Sequence, residues 1–164
     1  MGLDVTAYEQ IELVEVRRAS SMSEDDWDNL GPDQVWLENY DFPERSSGWP
    51  AGIYRASGAV GSEQNSYYGF SSFREAIAAA AHPDLTVADL RLMSIEDLMG
   101  VPLGEFIWFS DCEGFLSGPV CARLDKAAQC IPEPKFDTEW YGEKWQNWKN
   151  LFALAAGDGA ICYT

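Results

Sequence analysis

Residues 105–114 read EFIWFSDCEG, and the reading of this run decides the fold. Phe106-Ile107-Trp108-Phe109 is a nearly continuous apolar stretch of strand length, which predicts a short strand buried on both faces. Asp111, Cys112 and Glu113 then open a loop ahead of a helix start, a common place for a cleft. Working outward, Leu3 to Val16 alternates and is rich in β-branched residues, so one or two strands are expected there. GIYRASG at 52–58 predicts a short strand ending in a Gly-rich turn, with AVGSEQNSYYGF as the loop after it. AICYT at 160–164 closes the chain as a strand.

Helical signals lie between these segments. Ser72-Phe73-Arg74-Glu75 matches a capping box and predicts a helix over Phe73–Ala81, stopped by Pro83. TVADLRLMSIEDLMG supplies another helical turn or two, with Thr86 and Ser94 as competing caps. VCARLDKAAQC follows Pro119, which suits a first helical position. From Asp137 to Ala156 the apolar residues recur at three and four, a long amphipathic helix with Trp145 and Trp148 on its core face. Strands and helices mix without β-α-β alternation, so the expected class is α+β: one domain over 1–164, with a small mixed or antiparallel sheet. Strands near residues 5, 53, 107 and 161 would build that sheet, with two to four helices packed on one face.

A chain of 164 residues, 46% of them hydrophobic, can bury a core without disulfides or metals. Its net charge of −16 opposes direct binding to a phosphate backbone. Residues 1–44 hold twelve Asp/Glu against Arg17 and Arg18, which makes the N-terminal third the acidic part. Within it, about 20–50 reads as a loop-rich acidic excursion. Its large aromatics argue for order, and Trp27, Trp36 and Trp49 offer either a homodimer face or core. The four cysteines form no C-x-x-C pair and read as reduced thiols, which with the absence of a leader-like start or a long apolar run gives a cytoplasmic expectation and no membrane.

Three constellations could carry chemistry. Asp111 and Glu113 are of the type that ligates a hard cation, and Cys112 before a helix start is of the type that acts as a nucleophile. A nucleophile needs a base, however, and His82 is the only histidine. With scattered thiols and almost no imidazole, neither a metal nor a cofactor is expected, and no catalytic residue is assigned. Arg55, Ser57 and Arg74 lie in segments rich in Gly, Ser and Tyr, where guanidinium and hydroxyl groups suit an anion and Tyr68 and Phe73 could stack on a base. Finally, Glu24, Asp25, Asp26 and Asp28 form an acidic face of the kind that meets a basic protein.

MGLDVTAY, YRASG with YYGFSSFREAI, FSDCEGFLSGPVCARLDK and the Trp-rich segment before GAICYT together resemble small uncharacterised proteins encoded by bacteriophages and prophages. FSDCEG with Gly118 is the sharpest part. The resemblance implies a phage origin and a shared pocket, and no reaction. The expectation drawn from all this is a phage accessory protein acting against host defence. It would sequester a small anionic, nucleotide-like ligand through Arg55, Ser57, Tyr68, Phe73, Arg74 and the Asp111–Cys112–Glu113 loop. The alternative is an acidic nucleic-acid mimic that occupies a basic host protein; a metal-assisted hydrolase using Asp111 and Glu113 is the third reading.

Overall fold

The computed structural model describes residues 2–39, 43–108 and 114–163, without the side chains of Gly2, Pro43, Tyr67, Tyr68, Arg91 and Trp108. The alternation at the N-terminus forms one continuous strand, β1 (Gly2–Val16). Its partner is equally long. The segment expected to be a short strand and a loop is a single antiparallel strand, here β3 (Gly52–Ser66), paired with β1 from Gly2↔Ser66 to Val16↔Gly52. The Gly-rich stretch reads as a turn in the sequence, but Gly58 (φ +79°) sits where the register jumps between Tyr8↔Val60 and Gln10↔Ser57. It therefore serves a β-bulge, which kinks a strand without ending it.

The helix expected from Phe73 starts six residues earlier, as α2 (Tyr67–Ala81), because Ser66 is the cap: its Oγ accepts from the Gly69 N–H at 3.1 Å. Ser72 and Glu75 lie inside the helix. The acidic excursion contains α1 (Glu24–Asp28), started by a Ser23/Asp26 capping box, and β2 (Gln34–Leu37), which pairs with the first residues of β3. Thr86 and Ser94 do not compete; each caps its own short helix, α3 (Val87–Leu92) and α4 (Ile95–Met99).

Within the apolar run Phe106-Ile107-Trp108-Phe109, the described residues do not form a strand. Gly104–Trp108 forms α5, in which the N–H groups of Phe106 and Ile107 both donate to the Leu103 carbonyl, at 3.1 and 2.9 Å. A fully apolar run of this length has no periodicity to separate a buried strand from a buried helix. The strand lies on the other side of FSDCE, as β4 (Phe115–Ser117), followed directly by α6 (Gly118–Cys130) with Pro119 in its first turn. The last helix and strand follow the sequence pattern, as α7 (Glu139–Ala155) and β5 (Ala160–Tyr163).

The fold is α+β, with a fully antiparallel sheet in the order β2-β3-β1-β5-β4. On one face Leu3, Val5, Ala7, Leu116, Ile161 and Tyr163 meet the aromatic side of the helices, chiefly Phe70, Phe73, Phe106, Trp145, Trp148 and Phe152. Each such side chain stabilises the fold by about 1.5–3 kcal/mol on burial. The opposite face carries a smaller cluster of Leu37, Tyr54, Phe115, Ala160 and Cys162, over which Trp49 stacks, its ring 6.1 Å from that of Tyr54.

Candidate functional site

The residues expected to line one anion pocket divide between two places. Arg55 and Ser57 are exposed on β3: Arg55 Nε lies 3.4 Å from Asp33 Oδ2, and Ser57 Oγ donates to Gln10 Oε1 at 3.5 Å. Phe73 and Arg74 lie in the helix layer. Phe73 is fully buried among Phe70, Phe106, Phe136, Tyr141 and Trp145, so its ring is a core element and has no face left to stack on a base. Arg74 is 8% exposed, with its guanidinium 4.7 Å over the Phe70 ring. The Tyr68 side chain and Asp111, Cys112 and Glu113 lie outside the described residues, as does the metal or nucleophile reading built on that loop.

The fold also buries a second arginine that the sequence does not signal. Arg45, in the 3₁₀ turn Pro43–Ser46, is 2% exposed and sits 4.6 Å over the ring of Tyr163 on β5. Burial pushes the Tyr163 hydroxyl above the ordinary tyrosine range, and the positive charges of Arg45 and Arg74 act against that rise. Two elements distant in sequence thus each bury a guanidinium group over an aromatic ring, Arg45 over Tyr163 and Arg74 over Phe70. PERS, the segment that carries Arg45, contains no pattern that marks burial.

The other reactive side chains have structural partners. Cys121 is buried, its thiol donates to the Leu116 carbonyl at 3.6 Å, and burial pushes its pKa far up. Cys162 is pushed up to about 12 by the same cause. Neither is a thiolate at neutral pH, which a nucleophile requires. His82 Nε2 lies 2.8 Å from the Pro102 carbonyl, which can only accept, so this nitrogen carries the proton and ties α2 to the turn before α5. Lys144 is buried on α7 and spends all three donors on β3, reaching Glu63, the Gln64 carbonyl at 2.8 Å and Asn65 Oδ1 at 2.9 Å. Among the described residues no group of three His, Cys, Asp or Glu side chains is placed to hold a metal. No helix among them is long and apolar enough to cross a membrane.

The acidic residues are mostly free of such duties. Glu24, Asp25 and Asp28 are exposed on α1, and Glu12 and Glu15 on β1; Glu9 is exposed too, but its carboxylate accepts from the Ala59 N–H at 2.7 Å. Asp26 differs: it accepts from the Ser23 N–H and Oγ, both at 2.8 Å, and from Arg17 Nη2 at 3.0 Å. Those bonds, the Ser23 backbone foremost, hold its carboxyl below the usual aspartate value. It is a helix cap first. Of the tryptophans of the acidic excursion, Trp27 meets Trp36 edge-on at 4.9 Å yet stays 39% exposed, and Trp49 covers Tyr54. No family model, no curated protein and no solved structure matches this chain.

Proposed function

We propose that this chain is a non-catalytic accessory protein that presents an acidic face to a basic, nucleic-acid-binding partner. The observation that carries this reading is the placement of exposed carboxylates. Glu9, Glu12 and Glu15 lie on the half of β1 that runs beyond β5, and Glu24, Asp25 and Asp28 on the helix packed beside β2. Arg17 offsets Asp26 at 3.0 Å and Glu15 more loosely at 3.9 Å, and Arg55 offsets Asp33 at 3.4 Å. Such a face attracts a basic surface over about a Debye length, so binding weakens steeply with salt. In the phage setting that the resemblance implies, the partner is a host protein directed at nucleic acid. The test is capture from a bacterial lysate at low salt with the wild type and with Glu24→Gln/Asp25→Asn/Asp28→Asn. The variant should lose a partner whose DNA or RNA binding the wild type inhibits; a partner retained by the variant, or unaffected in its nucleic-acid binding, overturns the reading.

A second reading, capture of a small nucleotide-like anion, is favoured by two buried guanidinium groups, Arg45 over Tyr163 and Arg74 over Phe70. It predicts a retained nucleotide in native mass spectrometry that is absent from a folded Arg74→Ala variant. No adduct with a panel of linear and cyclic nucleotides would overturn it.

A further inference from the structure

Two stretches of open sheet edge carry side-chain plugs. Asn39 occupies the outer edge of β4, donating to the Phe115 carbonyl at 3.0 Å and accepting from its N–H at 2.8 Å. Along β3 beyond β2, Asn147 donates to the Ser62 carbonyl at 3.1 Å and Lys144 to that of Gln64 at 2.8 Å. Blocked edges of this kind prevent unwanted strand pairing. A third stretch, on β1, is treated differently.

β5 pairs only with Val5–Tyr8, and the Ile11 N–H ends that side by donating to the Asp158 carbonyl at 2.8 Å. From Glu12 to Val16, no strand or side chain from another element bonds this side of β1 among the described residues. The direction of the backbone groups follows from the two ends. Ile11 N–H points to the β5 side, whereas Arg17 N–H points to the β3 side, donating to the Ala51 carbonyl at 3.0 Å. Alternation from each end turns the N–H groups of Leu13 and Val16 outward. The odd residue between them is Val14, where the register jumps from Leu13↔Tyr54 to Glu15↔Ile53. This stretch also exposes Leu13 (40%) and Val14 (46%) between Glu12 and Glu15, and Val16 (66%) just after them. A groove of about 200 Å³ lined by Ile11, Leu13, Trp49, Pro50 and Tyr54 lies beside it.

We propose that Glu12–Val16 is a strand-addition site whose occupant is an extended basic segment of a partner protein, alternating Lys or Arg with apolar residues. The segment's backbone bonds Leu13 and Val16, its cations face Glu12 and Glu15, and one apolar side chain enters the groove. Main-chain pairing of this kind gives affinity, and the alternate side chains give specificity. A second copy is a poor occupant, because it would bring the same acids together on a chain of net charge −16. The inference rests on the acidic-face reading and names the form of its partner.

The probe is a short synthetic peptide alternating Lys and Val, added to the full chain at low ionic strength, with amide hydrogen exchange read by NMR. The Leu13 and Val16 amides should slow by roughly tenfold or more at saturation, since pairing removes them from water. Val16→Pro, which deletes an outward N–H that β3 does not use, should weaken binding by roughly fivefold. If that variant does not fold, the same peptide with alternate N-methylated residues replaces it and must lose binding to the wild type. Binding without slowing at Leu13 and Val16 overturns strand addition and leaves the acidic-face reading standing. Failure to bind overturns it too, and slowing that grows with protein concentration alone assigns the edge to a second copy. Retention of the lysate partner by the Glu24/Asp25/Asp28 variant is the separate failure of the underlying reading.

Discussion

The side-chain amide of Asn39 takes both backbone groups of Phe115, 76 residues away in sequence, at 3.0 and 2.8 Å. It stands where a sixth strand would, and it fixes the connection after β2 against β4. Asn39→Ala leaves the Phe115 N–H and carbonyl without these partners in a half-buried setting. Each such loss costs about 1–3 kcal/mol. Urea denaturation should show a lower midpoint with an unchanged slope, and Asn39→Asp, which keeps only the acceptor, should recover part of the loss. Wild-type stability in Asn39→Ala would mean that the amide is not a structural bridge.

Gly118 and Gly142 should respond oppositely to alanine. A Cβ on Gly118 would stand 1.9 Å from the Gly157 carbonyl oxygen, so the start of α6 and the turn before β5 meet through bare backbone. A Cβ on Gly142, inside α7, meets nothing within 4 Å. Gly118→Ala is expected to destabilise by about 1–3 kcal/mol or more through overpacking. Gly142→Ala should stabilise by about 0.5–1 kcal/mol by restricting the unfolded chain. Thermal melts of the two variants check both signs.

These contrasts bear on how far the fold could be read from sequence. Long or periodic signals were legible: the alternation of β1, the Trp-bearing stripe of α7, Pro119 at the start of α6, and the α+β class. What failed was local punctuation. Gly58 looks like a turn but serves a bulge, and Ser72-x-x-Glu75 looks like a cap but sits one turn inside a helix already begun by Ser66. Phe106-Ile107 has no period, so only its tertiary neighbours make it helical. The candidate site was less legible still. Arg74 stands out in the sequence, but Arg45 is brought over Tyr163 by chain connections that no local pattern encodes. The exposed acids of α1 were legible because charge density needs no partner to be seen.

Lys144 should be among the most sensitive charged positions. Its ammonium is buried against Glu63, the Gln64 carbonyl and Asn65, and lies 4.4 Å over the Trp140 ring. Removing one partner of a buried ion pair strands the other, at a cost of about 3–5 kcal/mol. Lys144→Ala should therefore lose far more stability than Lys126→Ala, an exposed lysine on α6. Replacing Lys144 by Met together with Glu63→Gln should restore much of it. Equilibrium unfolding of the three variants decides.

Acid should act on the short helices first. Bonds from the Ser23 backbone and hydroxyl, with Arg17 beside them, hold the Asp26 carboxyl below its usual value, and the Thr86 hydroxyl and backbone do the same for Asp89. A depressed carboxylate stabilises the fold above its unfolded pKa and stops doing so as pH falls through the folded value. The loss thus begins below about pH 4 and is complete only beneath the folded values. NMR titration should find both carboxyl groups titrating below the ordinary aspartate value. Asp26→Asn and Asp89→Asn should flatten the acid limb of the stability curve, and an unchanged limb would remove the caps from the account.

Base should act through the buried thiols. Cys162 is pushed up to about 12 by burial, and Cys121 higher still, so the folded chain keeps both protonated where the unfolded chain releases them. Folding stability from these groups is intact below an unfolded thiol value of about 8.5 and falls as pH rises toward the folded values. In a Cys112→Ser background, a thiol reagent at pH 8 should label the exposed Cys130 at once and leave Cys121 and Cys162 to the rate of unfolding. Adding urea should release both together. Rapid native labelling of Cys162 would show that the face covered by Trp49 opens without unfolding, which would also loosen the groove beside Leu13.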